Sequence, residues 1–148
     1  MRPATILTTF CLFVCSASGQ DAKADLEKLQ GDWAVTAMQM NGKDSTKEMT
    51  DNLRITFKGE TMILARVKGR AKGKEYTIKL DPSKKPNAID LSATDGKAKG
   101  FVVRGIYQID GMDVKLCISN TTDNERPTEF KSAKGSELIV LSLTPASK

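Results

Sequence analysis

The chain has 148 residues, enough for one domain and too few for a second core of ordinary size. Its 23 Lys+Arg outweigh 18 Asp+Glu for a net charge of +5, and it contains no histidine. That excludes His-based general acid–base catalysis, Ser-His-Asp and Cys-His nucleophile systems, and His-ligated metals. At 39% hydrophobic and 28% charged residues, the composition fits a globular domain.

The first residues differ from all that follow. Arg2 is the only charge before Asp21, and Ala4 to Val14 forms an apolar stretch diluted by threonines. Ser16, Ala17, Ser18 and Gly19 then supply the small residues that processing enzymes favour. The pattern predicts a secretory signal peptide over residues 1–19, hence export to the periplasm, the cell envelope or the medium. The apolar stretch falls well short of the roughly 20 residues of a spanning helix, so no membrane-spanning segment is expected. Lipid attachment at Cys15 is disfavoured, because Val14 stands where a small residue is required. Cleavage would leave a net +4 and a single cysteine, Cys117, so residues 20–148 would form one domain without an internal disulfide.

A short helix is predicted over Asp21–Gln30, with Ala22, Leu26 and Leu29 on one face and Gly31 as its stop. From Trp33 onward the period is two. Leu53, Ile55 and Phe57 alternate with polar neighbours; Ile63, Ala65 and Val67 follow the turn at Gly59. Next come Tyr76, Ile78 and Leu80, then Ile89, Leu91 and Ala93. Val103, Tyr107 and Ile109 enter an Asp110-Gly111 hairpin turn, and Val114, Leu116 and Ile118 leave it. Thr128–Ser132 is expected to pair as well, and Ile139, Leu141 and Leu143 form the last strand before Pro145. Eight or nine strands with one apolar face each predict an all-β fold: an up-and-down antiparallel barrel with a short N-terminal helix.

The Gly31-Asp32-Trp33 sequence that opens the first strand after a short helix resembles the start of lipocalins, whose tryptophan closes one end of the barrel. Four further segments sharpen the resemblance: Leu80–Pro86 (LDPSKKP), Ile89–Leu91, Gly105–Gly111, and Glu125–Phe130 (ERPTEF). In this order they resemble a family of small secreted domains, found mostly in planctomycete bacteria, that begins with LQGxW and carries ERPTEF near its end. The similarity spans roughly Leu26 to Leu143. It implies a lipocalin-like barrel and export, and brings no activity, ligand or catalytic residue with it.

Gly31, Trp33 and Arg126 are the expected structural residues, with Trp33 plugging one end and Arg126 a candidate to stack on its face. Cys117 should point away from the interior and be reachable there, but has no histidine to activate it. The carboxylate pairs Asp110/Asp113 and Glu125/Glu129 flank turns, where such side chains usually bond local backbone. No calcium loop, phosphate loop or catalytic constellation is present, so no enzyme activity, cofactor or metal is expected.

The basic turns stand out. Lys68, Arg70, Lys72 and Lys74 cluster in one, Lys97 and Lys99 in another. In a meander these two turns share a rim with the connections Asn41–Asn52 and Asn120–Pro127. Two functional readings follow. In the first, the barrel binds a small apolar or amphiphilic ligand, with interior residues such as Phe57, Tyr76 and Tyr107 around it and the basic rim on its anionic head. In the second, a solid barrel acts in the cell envelope, its basic surface contacting acidic polysaccharide or lipid head groups. Fold analogy favours the first reading. Nucleic acid is not an expected partner, because the positive charge is small and six aromatics remain after cleavage.

Overall fold

The computed structural model describes residues 18–69, 72–121 and 125–147. The leader's apolar stretch and Arg70 lie outside the described residues. Nine strands form one antiparallel sheet: β1 (Gly31–Met40), β2 (Lys43–Asp44), β3 (Leu53–Lys58), β4 (Thr61–Arg66), β5 (Lys74–Asp81), β6 (Asn87–Ala93), β7 (Val102–Asp110), β8 (Asp113–Ser119) and β9 (Leu138–Pro145). Helix α1 (Ser18–Leu29) precedes them, and a five-residue helix α2 (Lys47–Asp51) lies between β2 and β3. Each strand from β3 to β8 pairs with the next, and β1 pairs with both β3 and β9. The result is a closed eight-stranded up-and-down barrel of lipocalin-like architecture, with β2 a short return on the end of β1.

The ninth strand is therefore not the expected one. Thr128–Ser132 is irregular, because Ser119 of β8 already pairs with Leu138 of β9. Closure leaves no open edge for that segment to join. The phase of β4 also differs from the sequence reading. Met62 and Leu64 face inward opposite Phe57 and Ile55, whereas Ile63 and Ala65 face out and Val67 lies beyond the strand. Both faces of β4 are apolar, so alternation could not choose between them. The two-residue turn at Gly59 and Glu60 makes the choice by setting Lys58 opposite Thr61.

Strand β1 changes phase within its own length. Trp33 and Val35 point into the core, and so does Met38. A β-bulge between Val35 and Ala37 in the pairing with β9 inserts the extra residue that this switch requires.

Helix α1 closes one end of the barrel. Leu29 is fully buried, and Ala22 and Leu26 pack against the core. Gly31 leaves the helix with φ at 109°, a conformation open to glycine and strained for other residues, so the chain can turn at once into β1. The Gln30 side-chain amide clamps the β3–β4 turn from both sides: its Nε2 donates to the Gly59 carbonyl at 3.0 Å, and its Oε1 accepts from the Gly59 amide at 2.7 Å. Trp33 Nε1 donates to the Leu29 carbonyl at 2.7 Å, and the Tyr107 hydroxyl donates to Asp25 at 2.8 Å. Buried indole and phenol groups thus find the polar partners that burial demands.

The middle of the barrel is filled. Ile55, Phe57, Met62, Ile89, Leu91, Tyr107, Leu116 and Leu143 are each 2% exposed or less. A void able to admit water would appear as accessible surface on these side chains. Gly105 marks the tightest point, where a Cβ would lie 2.7 Å from the Cys117 carbonyl oxygen and 2.8 Å from Ile118 Cγ2. Because the first neighbour is backbone, Gly105→Ala must displace a strand. We expect a loss of about 1–3 kcal/mol, measured as a lower urea midpoint at unchanged slope.

Candidate functional site

The two ends of the barrel are unlike. At the end opposite α1, the inward residues Leu53, Tyr76, Val103, Ile118 and Ile139 are only partly buried. They form a shallow apolar mouth above the packed middle. Tyr76 sits among them, its phenol pushed above the ordinary range by burial and then by the charge of Asp95. Phe57 and Tyr107, the other two expected interior residues, lie deeper and are enclosed by protein.

The basic turns surround this mouth. Strand direction places the β4–β5 turn, the β6–β7 turn, the β1–β3 connection and the β8–β9 connection at the same end. Lys68, Lys72, Lys74, Lys97 and Lys99 are all exposed. Lys72 bridges the two turns, with its Nζ 3.5 Å from Asp95 and 3.7 Å from Glu75. The backbone amide of Lys68 donates to Asn52 Oδ1 at 2.6 Å, which ties the same rim to the end of α2.

Sequence periodicity missed what stands between these lysines. Met49, Val67, Phe101 and Val102 are exposed, Val67 at 53% and Phe101 at 51%. Each belongs to a connection at the open end: Met49 to α2, Val67 to the β4–β5 turn, and Phe101 and Val102 to the start of β7. The Met40 side chain, also exposed, ends β1 there opposite Ile139. Alternation grouped Val67 with Ile63 and Ala65, and the signal against that grouping was its place between Arg66 and Lys68. Helix α2 was missed as well. Thr46 caps it by accepting from the Met49 amide at 3.4 Å, and Lys47 pairs with Asp51 at 2.6 Å.

Arg126 does not join Trp33. Its Nη1 donates to the carbonyls of Ile89 at 3.0 Å and Gly105 at 2.7 Å, and its Nη2 reaches Asp90 at 2.6 Å. These contacts lie on the outer side of β6 and β7, with Asp90 and the inward Ile89 on opposite faces of one strand, whereas Trp33 is inside the barrel beneath α1. Arg126 instead anchors the segment Glu125–Ser132, which lies as a strap on the outside of the sheet. Under it, Ala88, Ile106 and Cys117 sit side by side in register and are nearly or fully inaccessible although they face away from the barrel core. Ser132 ends the strap, accepting from the Gly42 amide and donating to the Leu138 carbonyl.

Cys117 therefore faces outward as expected but is not reachable. Burial pushes its thiol up, partly offset by the Lys131 backbone amide, and the charge of Glu129 adds to the rise. Asp110 and Asp113 face each other at the exposed β7–β8 hairpin, and no metal-binding group of His, Cys, Asp or Glu occurs among the described residues. At the closed end, Ala22, Leu26 and Leu80 line an open groove of about 770 Å³ between α1 and β5, far from the basic rim. No helix among the described residues is long and apolar enough to cross a membrane.

Two outcomes test this geometry. Arg126→Ala should release the strap and raise the rate of Cys117 labelling by a water-soluble thiol reagent at least about tenfold, the factor equivalent to roughly 1.4 kcal/mol. Alkaline pH should lower stability. Burial, and then hydrogen bonding to Asp25, hold Tyr107 protonated, and Cys117 is raised too. Above the ordinary thiol and phenol values of 9.0 and 10.0, the unfolded chain loses protons that the folded chain keeps. Stability then falls as pH rises, and Tyr107→Phe flattens that fall in a series of urea titrations.

Compared with known proteins, the chain matches no family model, no curated protein and no solved structure.

Proposed function

We propose that this is an exported lipocalin-like binding module whose open end holds an anionic amphiphile. One observation carries the reading: a group of partly accessible inward side chains, Leu53, Tyr76, Val103, Ile118 and Ile139, gathers at the end ringed by Lys68, Lys72, Lys74, Lys97 and Lys99, whereas in β7 and β8 the opposite end has Ile109 alone. An apolar tail would rest on Leu53, Tyr76 and Val103, and an anionic head would meet the lysines. The packed middle limits the tail to a shallow seat, so a short or single chain fits better than a bulky ring system. Export belongs to the same reading and is supported by the leader pattern and by the resemblance of the LQGxW and ERPTEF segments.

The filled middle also favours a second reading, in which the barrel is solid and its basic end contacts an acidic envelope polymer without enclosing anything. The two separate in one experiment. Titration with a single-chain alkyl phosphate below its micelle concentration should saturate at one site, more tightly than the uncharged alcohol of the same length. Val103→Trp, which fills the mouth, should weaken it at least about tenfold, as the loss of roughly 1.4 kcal/mol requires. Equal affinity for the alcohol, or none for either compound, would remove the amphiphile reading.

A further inference from the structure

The open end carries a surface that a soluble ligand does not need. Besides Met40 at the end of β1, four large apolar side chains stand out into solvent there: Met49, Val67, Phe101 and Val102. They are interleaved with charge along the chain, as Arg66-Val67-Lys68 in one turn and Lys97-Ala98-Lys99-Gly100-Phe101-Val102 in the next. The turns are held beside each other. The Lys72 ammonium contacts Asp95 across the gap, and the Thr94 amide donates to the Glu75 carbonyl at 3.2 Å. The β6–β7 turn is itself a fixed structure, since the Ala93 amide donates to the Phe101 carbonyl and the Gly100 amide to the Ala93 carbonyl, each at 3.0 Å. Asn52 joins α2 to the β4–β5 turn through the amides of Val67 and Lys68. Met49, Val67 and Phe101 are thus carried on three pieces of the rim that hydrogen bonds and an ion pair join to one another.

We propose that this rim docks the protein on an anionic lipid surface, with Val67, Phe101 and Val102 entering the interface and the lysines lying at the level of the phosphates. The charge chooses the occupant. Lys68, Lys74, Lys97 and Lys99 have no salt-bridge partner among the described residues, whereas Lys72 is shared by Glu75 and Asp95. An acidic polysaccharide would satisfy these lysines but would leave the apolar side chains in water. Anionic lipid satisfies both, since burial of apolar area and attraction to lipid phosphate act together at an interface. Docking shares the end of the barrel with the amphiphile reading but does not require the mouth to be occupied.

The test compares the full-length protein with variants carrying the same N terminus, so that any contribution from the leader cancels. Binding is read by co-sedimentation with phosphatidylglycerol–phosphatidylcholine vesicles and with pure phosphatidylcholine vesicles. Wild type should bind the anionic vesicles and lose that binding near 1 M salt, where charges are screened within about 3 Å. At about 1 kcal/mol for each lysine near the surface, Lys97→Gln with Lys99→Gln should weaken binding about 25-fold. Val67→Ser with Phe101→Ser, which leaves the charge unchanged, should weaken it about tenfold or more. Phe101→Trp should bind at least as tightly as wild type, a gain that misfolding would not produce.

The proposal is overturned if the Val67→Ser, Phe101→Ser variant sediments like wild type. It also fails if neutral vesicles bind equally, or if polygalacturonate displaces the vesicles with no dependence on Val67 and Phe101. Val103→Trp distinguishes this surface from the mouth. It should weaken alkyl phosphate binding at least about tenfold and leave vesicle binding intact, so that either activity can fail without the other.

Discussion

Everything in this molecule follows from the return of β9 to β1. An open eight-stranded sheet with one apolar face would leave that face and two edges in water, and neither is tolerable there for a chain without disulfides among its strands. Pairing Trp33 through Met40 with Pro145 through Ile139 removes both edges and encloses the apolar face at once. The bulge in β1 is the local adjustment that lets one strand satisfy two neighbours, turning Trp33 and Val35 inward near the helix and Met38 inward beyond it. Helix α1 completes the enclosure at one end, fastened by Gln30, Trp33 and Tyr107 rather than by apolar contact alone.

Closure also decides where function can reside. With Phe57, Tyr107 and Leu116 filling the centre, no ligand-sized space remains there, and chemistry is pushed to the surface. The closed end offers an open groove of mixed charge beside α1. The opposite end offers a mouth, a ring of lysines and half-exposed apolar side chains together. The strap formed by Glu125–Ser132 adds a third kind of surface, in which a segment anchored by an arginine with three hydrogen bonds covers a thiol on the outside of the sheet.

The sequence was legible wherever one physical rule acted alone. Strands with a single apolar face, such as Ile55–Phe57 and Leu116–Ile118, disclosed both their existence and their orientation. The alternation of loops between the two ends follows from antiparallel pairing, so the grouping of the two basic turns could be worked out without coordinates. Legibility ended where two rules competed. In β4 both faces are apolar, and turn geometry rather than hydrophobicity set the register. Thr128–Ser132 has strand-like composition, but strand formation needs a partner and closure had used them all. Arg126 looked like a partner for Trp33 because both are typical of such barrels. Its actual acceptors, two main-chain carbonyls and Asp90, carry no sequence pattern that could have announced them.

The position of Trp33 has a practical consequence. It is the only tryptophan in the chain, and it lies at the start of β1 with its indole nitrogen on the Leu29 carbonyl. Met40, at the other end of the same strand, is seven residues away, or about 23 Å along an extended backbone. Intrinsic fluorescence is therefore a gauge of the closed end: it follows the undocking of α1 and the melting of the core. It is poorly placed to sense an uncharged occupant of the opposite mouth, which Tyr76 lines and beside which Phe101 stands. A flat emission trace during a ligand titration would describe the distance between the two ends of the barrel, not the absence of binding.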